Sequence, residues 1–186
     1  ELHGPFNRAT DAAKRTLTLN PSSVEQSIRV KLRLWAVGMM TNANIVVDDL
    51  PEDQRQYSST SGGSASRLDS QTAWTPQDSD PQPHMIIDLE DRESIVYGIQ
   101  VGGRRDDPKM FTTKLKVAVS DDRTNWAYVD GGDDMDTHLE SGSDLQLLKF
   151  STGPVIGRFI RIDLCGHSYQ HSLRVGVLRL QSSQSK

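Results

Sequence analysis

From Ala43 onward the chain is a succession of short apolar runs closed by Gly, Pro, Asp, Asn or Ser, and this limits the fold more than any other feature. After ANIVV come MIIDL, SIVYGIQV, TTKLKVAVS, WAYV, LQLLKF, RFIRIDL and LRVGVLRL. Apolar runs of ~4–8 residues bounded by turn formers read as strands, because a helix needs a longer uninterrupted period. Within one run Leu115, Val117 and Val119 share a face while Lys114, Lys116 and Ala118 take the other, the period-two signature of a pleated strand. A hydrophobic fraction of 35% suits sheets with one buried and one solvated face. The expected class is all-β, a sandwich or a barrel, with no internal repeat.

The stretch Arg67–Glu90 shows how such a sandwich carries its loops. It sets Trp74 among small residues, runs through the Pro- and Asp-rich segment from Pro76 to Pro83, and enters the strand MIIDL. A large aromatic at the foot of a loop is expected to anchor that loop in the core; stacking on a ligand is the other reading. The acidic DDLPEDQRQ and the polar YSSTSGGSAS read as loops. Residues 1–34 read as an N-terminal extension and 182–186 as a tail. From Asn20 two patterns compete. Ser22 with Glu25 has capping-box spacing, and Val24, Ile28, Leu32 and Trp35 share a helical face, while Ile28, Val30, Leu32 and Leu34 alternate with cations as in a strand. The cationic face reads as a solvated surface or the cover of a sheet edge.

Composition excludes several functions. A net charge of −4 supplies no field to attract nucleic acid. No apolar run approaches the ~20 residues of a membrane helix, and Glu1 opens a polar segment without signal-peptide character. Cys165 is the single cysteine, so no intramolecular disulfide forms, which leaves an intracellular site open. No G-x-S-x-G elbow, phosphate-binding loop or Cys/His frame is present, so the chain is not expected to be an enzyme.

In order, VGMMTNANI from Val37, RLDSQTAWTP, IIDLE, KLKVAVSDDRTNW, PVIGRFIRI and HSLRVGVLRLQ resemble the successive motifs of the discoidin, or coagulation factor 5/8 type C, domain family. The resemblance spans 35–181 and implies a galactose-binding-like jelly-roll β-sandwich. It further implies a non-catalytic, lectin-like domain holding a glycan or glycoprotein in loops at one end, in adhesion at the cell surface or outside the cell. A peptide-binding module that engages a protein partner or forms an oligomer is the alternative. A phospholipid-binding domain is a weaker one, since the loop tips lack bulky apolar residues. The disulfide that joins the ends of many relatives has no cysteines here, and Gly176 stands where many carry Glu. Both departures place the chain nearer the disulfide-free lectin branch.

The resemblance selects four ligand-binding loops. Tyr57 and Ser61 stand in the first, and Thr75, Asp78 and Asp80 in the second. Arg104, Arg105, Asp106 and Asp107 form the third, where donors beside acceptors suit a polyhydroxyl ligand. His167 and Tyr169 fall in the last loop, with Cys165 and His171. Turn chemistry alone also explains Asp78 and Asp80, and self-pairing explains the third loop. His167 and His171 lack the helical frame a transition-metal pair needs. No cofactor is required, although the resemblance admits a calcium ion on Asp69 and Thr72, with Gly176 removing the carboxylate that would close that site.

Overall fold

The computed structural model describes residues 44–62 and 65–181. The alternative readings of residues 1–34, the motif beginning at Val37, the Gly63–Ser64 part of the polar loop and the tail lie outside those residues.

Strands form where the alternation placed them: β1 (Ile45–Asp48), β2 (Arg55–Tyr57), β3 (His84–Asp88), β4 (Ile95–Gly102), β5 (Thr112–Ser120) and β6 (Ala127–Tyr128). They continue with β7 (Met135–Asp136), β8 (Gln146–Lys149), β9 (Val155–Ile156), β10 (Phe159–His167) and β11 (Arg174–Leu180). One sheet runs β1-β11-β4-β8, with β9 also on β4; the other runs β2-β3-β10-β5-β6, with β7 on β5. Every pairing is antiparallel, and the two inner faces bury one shared core, so the fold is a β-sandwich.

Leu115 and Val117 of β5 meet Ile160 and Ile162 of β10, Met85 and Ile87 of β3, and Ile99, Val101, Val175 and Val177 of the facing sheet in that core. Burying each such side chain contributes ~1.5–3 kcal/mol. On the far side of β5, Lys114 and Lys116 pair with Asp136 and Asp134. The period-two reading of this strand therefore holds from Lys114 to Val117, while Ala118, on the lysine face, is itself buried.

Register puts three long loops at one end. Tyr57 pairs with Met85, His167 with Thr112 and Arg174 with Gly102. The segments 58–83, 103–111 and 168–173 thus leave the sandwich together, and the 137–145 connection joins them because β8 starts opposite Val101. Toward the other end, on the outer face of the β1-β11-β4-β8 sheet, Ile45, Tyr97, Leu147, Pro154 and Leu178 line a groove of about 370 Å³.

Three sequence expectations need correction. Tyr57 and Arg55 belong to strand β2 rather than to loops; Arg55 is buried because main-chain carbonyls gather around it. Cys165 and His167 lie within β10, where Gly166 marks a break in register with β5 rather than the start of a loop. The WAYV run is shorter than expected: Trp126 stands outside β6, its indole N–H donating to the carbonyl of Arg123.

Candidate functional site

Trp74 is the pedestal of the loop end. It is 0% exposed, stacks on Tyr57 with ring centroids 5.2 Å apart, and its indole N–H donates to the carbonyl of Ser59 at 2.8 Å. Its main chain exchanges hydrogen bonds with Leu173 at 3.1 and 2.9 Å, tying the first loop to the last. The core-anchor reading is therefore the one the geometry supports.

Around this pedestal several predicted ligand residues are spent on the fold itself. The Tyr57 hydroxyl bonds Glu52 and, at 2.7 Å, Ser66. Burial, reinforced by Glu52, holds that phenol well above its usual pKa. Thr75 is buried, its hydroxyl 3.0 Å from that of Ser172. Asp80 accepts from the hydroxyls of Ser58 and Ser59, both at 2.5 Å, which hold it below the usual carboxylate range. Arg105 donates to the carbonyls of Leu68 at 3.1 Å and Asp69 at 3.2 Å, and its amide, with that of Asp106, donates to Gln71.

The others face outward. Ser61 and Asp78 are exposed, and Asp78 accepts from the Gln170 amide at 2.8 Å, joining the second loop to the last. Tyr169, next to Gln170, is 74% exposed. His167 is exposed at the end of β10. Arg104 grips Asp106 with a two-pronged bond of 2.8 and 2.5 Å, which raises the Arg104 pKa and lowers that of Asp106. Asp107 accepts from the Lys109 amide at 3.4 Å, a turn contact. The pairing of Arg104 with Asp106 thus takes the form the charge pattern allowed, while Asp78 and Tyr169 remain presented.

Arg174 lies outside the residues predicted to bind a ligand. Fully buried, it donates to the carbonyls of Leu68 at 2.6 Å, Gly103 at 2.5 Å and Gly142 at 3.0 Å, so one guanidinium joins three loops. Burial first, and Arg105 second, pull its pKa down to about 10. Close approach is also built into Gly103, where a Cβ would fall 2.5 Å from the Met110 carbonyl oxygen. The available signal was that Arg174 stands between apolar residues at the start of the LRVGVLRL run, which carries a second cation, Arg179, near its end.

His167 and His171 meet edge to face with ring centroids 4.3 Å apart. Nδ1 of His171 is sealed in without a hydrogen-bond partner. Burial, then the charge of His167, lowers the His171 pKa to about 4, below the ~6.5 of a free histidine. The unfolded chain therefore binds the extra proton first, and stability is expected to fall as pH drops from about 6.5 toward 4. Lowered carboxylates such as Asp80 and Asp88 add their loss only below about 4. Urea melts across that window should show a smaller slope in His171→Gln than in the parent chain. An unchanged slope contradicts this account of His171.

A calcium ion does not fit the residues at the Trp74 turn. The Asp69 and Leu68 carbonyls already accept from Arg105, and Leu68 from Arg174 as well. The Asp69 carboxylate faces Arg67 at 3.2 Å, and the Thr72 hydroxyl lies 3.2 Å from that of Ser70. Among the described residues no three His, Cys, Asp or Glu gather as metal ligands.

A two-layer antiparallel sandwich with its long loops gathered at one end is a discoidin-like β-sandwich. The chain belongs to the F5/8 type C domain family, whose model matches residues 52–177. Domains of this family are in general non-catalytic binding modules, some of them parts of glycosidases. No curated protein matches the chain. Among solved structures it is similar to wild-type discoidin II from Dictyostelium discoideum, with 19% identity over 76% of this chain and a TM-score of 0.54. The chain covers 55% of that protein, little more than half its length. It is also similar to the family 32 carbohydrate-binding module of Clostridium perfringens NanJ, solved in complex with galactose. That match has 15% identity over 71% of this chain and 98% of the module, with a TM-score of 0.55. A Bacteroides fragilis F5/8 type C domain matches at 13% identity over 76% of this chain and 99% of its own, with a TM-score of 0.53. At these identities the likeness establishes the fold.

Proposed function

We propose that the domain is a non-catalytic recognition module that binds a glycan, or a glycosylated partner at the cell surface, through its loop end, in adhesion outside the cell. One observation carries this reading: Tyr169 is 74% exposed and immediately precedes Gln170, whose amide donates to the exposed Asp78 at 2.8 Å. A sugar ring offers an apolar C–H face and hydroxyls in fixed directions. A phenol ring covers the first, while a carboxylate and an amide answer the second. The galactose complex of the NanJ module supports the choice of ligand class, and the extracellular setting rests on where discoidin-type domains are typically found.

Membrane binding is less favoured by the geometry. Met110 and Phe111, the apolar residues of the third loop, are only 7% and 8% exposed and offer little apolar surface to a bilayer. In the alternative of a protein partner, the segment from Ser22 to Met40 would be the contact or an oligomer interface, and that segment lies outside the described residues.

A glycan array probed with the full chain, displayed in several copies because single-site affinity for sugars is often weak, is expected to yield a defined hit. Tyr169→Ala and Asp78→Ala should each weaken that hit by about tenfold or more, since each removes ~1.4 kcal/mol or more of binding. A blank array, or both variants binding as the parent does, contradicts the proposal.

A further inference from the structure

We infer that the junction of the recognition loops is closed by the chain's own guanidinium groups, with Arg105 as its positioning residue, so that the loop end assembles without a divalent cation. The inference concerns how the loops are held and is independent of what they bind.

The turn before Trp74 turns its carbonyl oxygens inward, an arrangement that needs positive charge or N–H donors to offset it. Arg105 supplies both: its two terminal nitrogens reach the Leu68 and Asp69 carbonyls, 36 to 37 residues earlier in the chain. Its amide and the next one satisfy Gln71 at 3.1 Å each, so side chain and main chain grip the same turn. Arg174 completes the junction from below on Leu68, Gly103 and Gly142. A calcium ion needs ~6–8 oxygens at ~2.3–2.6 Å, and two of the oxygens it would require are already engaged by guanidinium. A side chain at position 176 would first have to displace Leu68, because a Cβ there would lie 2.6 Å from Leu68 Cδ1. Arginine rather than lysine is required at 105, because a planar fork spans two carbonyls and an ammonium is a single point.

Hydrogen exchange reads this directly, since the amides of residues 105 and 106 report on the Gln71 contact. In the full chain their exchange should be the same with millimolar calcium as with a chelator. Arg105→Ala should speed exchange of both amides by about tenfold or more, the scale of a lost hydrogen bond to a charged group. Core amides of β5 and β10 should stay protected. Millimolar guanidinium ion should restore slow exchange in Arg105→Ala and calcium should not, while Arg105→Lys should remain fast. That pattern separates a positioning role from general destabilisation, which millimolar guanidinium would not reverse. Calcium slowing exchange in the parent chain, or parent-like exchange in Arg105→Ala, overturns the inference.

Discussion

Trp74→Ala is expected to cost ~3–5 kcal/mol of folding stability, the range for deleting a large aromatic from a packed core. The indole is 0% exposed and lies face to face with Tyr57 at 5.2 Å, so its removal opens a void that the flanking strands cannot close. The Ser59 carbonyl also loses its only indole donor. Because a domain of this kind has ~5–15 kcal/mol in hand, the variant should still fold at low temperature while its urea midpoint falls sharply. Trp74→Phe keeps a ring on Tyr57 but leaves Ser59 unpaired, and should fall between, ~1–3 kcal/mol below the parent. Equal midpoints for the parent and Trp74→Ala would show that the aromatic is not the wedge beneath the loops.

Arg55→Met is the second large effect, ~3–5 kcal/mol, because it removes the cationic half of a buried polar cluster. The Arg55 side chain is 0% exposed. It donates to Leu50 at 3.1 and 2.7 Å, to the Ser66 carbonyl and hydroxyl at 2.8 Å each, to Val175 at 2.9 Å and to Asp49 at 3.0 Å. Burial lowers its pKa, with Glu52, Tyr57 and Asp49 opposing that shift. Methionine fills the same length but strips the guanidinium from the Leu50, Ser66 and Val175 carbonyls, of which Ser66 keeps the Val175 amide as a donor. Lysine restores charge without the fork and should recover only part of the loss. Chemical denaturation of the three chains measures the series. A methionine variant as stable as the parent would mean that the carbonyls find water instead.

The difference between what the chain announces and what it conceals follows from the range of the interactions. Strand β5 was legible because Leu115, Val117 and Val119 carry its burial in their spacing alone. Trp74 was legible because a tryptophan among Ala, Thr and Pro has few places to go but inward. Arg55 and Arg174 were not, since a cation inside a strand reads as a solvent-facing residue and its true partners are main-chain oxygens as distant as Val175 and Leu68. Tyr57 looked available because nothing nearby in sequence points to Trp74 and Ser66 as its neighbours. Gly166 suggests a loop around His167 when the sequence is read alone, whereas in the fold it marks a register shift where a Cβ would lie 2.9 Å from the Thr113 hydroxyl oxygen. The candidate site was thus readable as a set of loops, while the division between residues that bind the fold and residues left for a ligand required their long-range partners.

Amide chemical-shift mapping of the domain with its best array glycan tests the central claim most directly. Perturbations gathered on segments 58–83, 103–111 and 168–173, greatest around Asp78 and Tyr169, are the predicted result. Perturbations centred instead on the outer face of the β1-β11-β4-β8 sheet, around Tyr97 and Leu147, would contradict it.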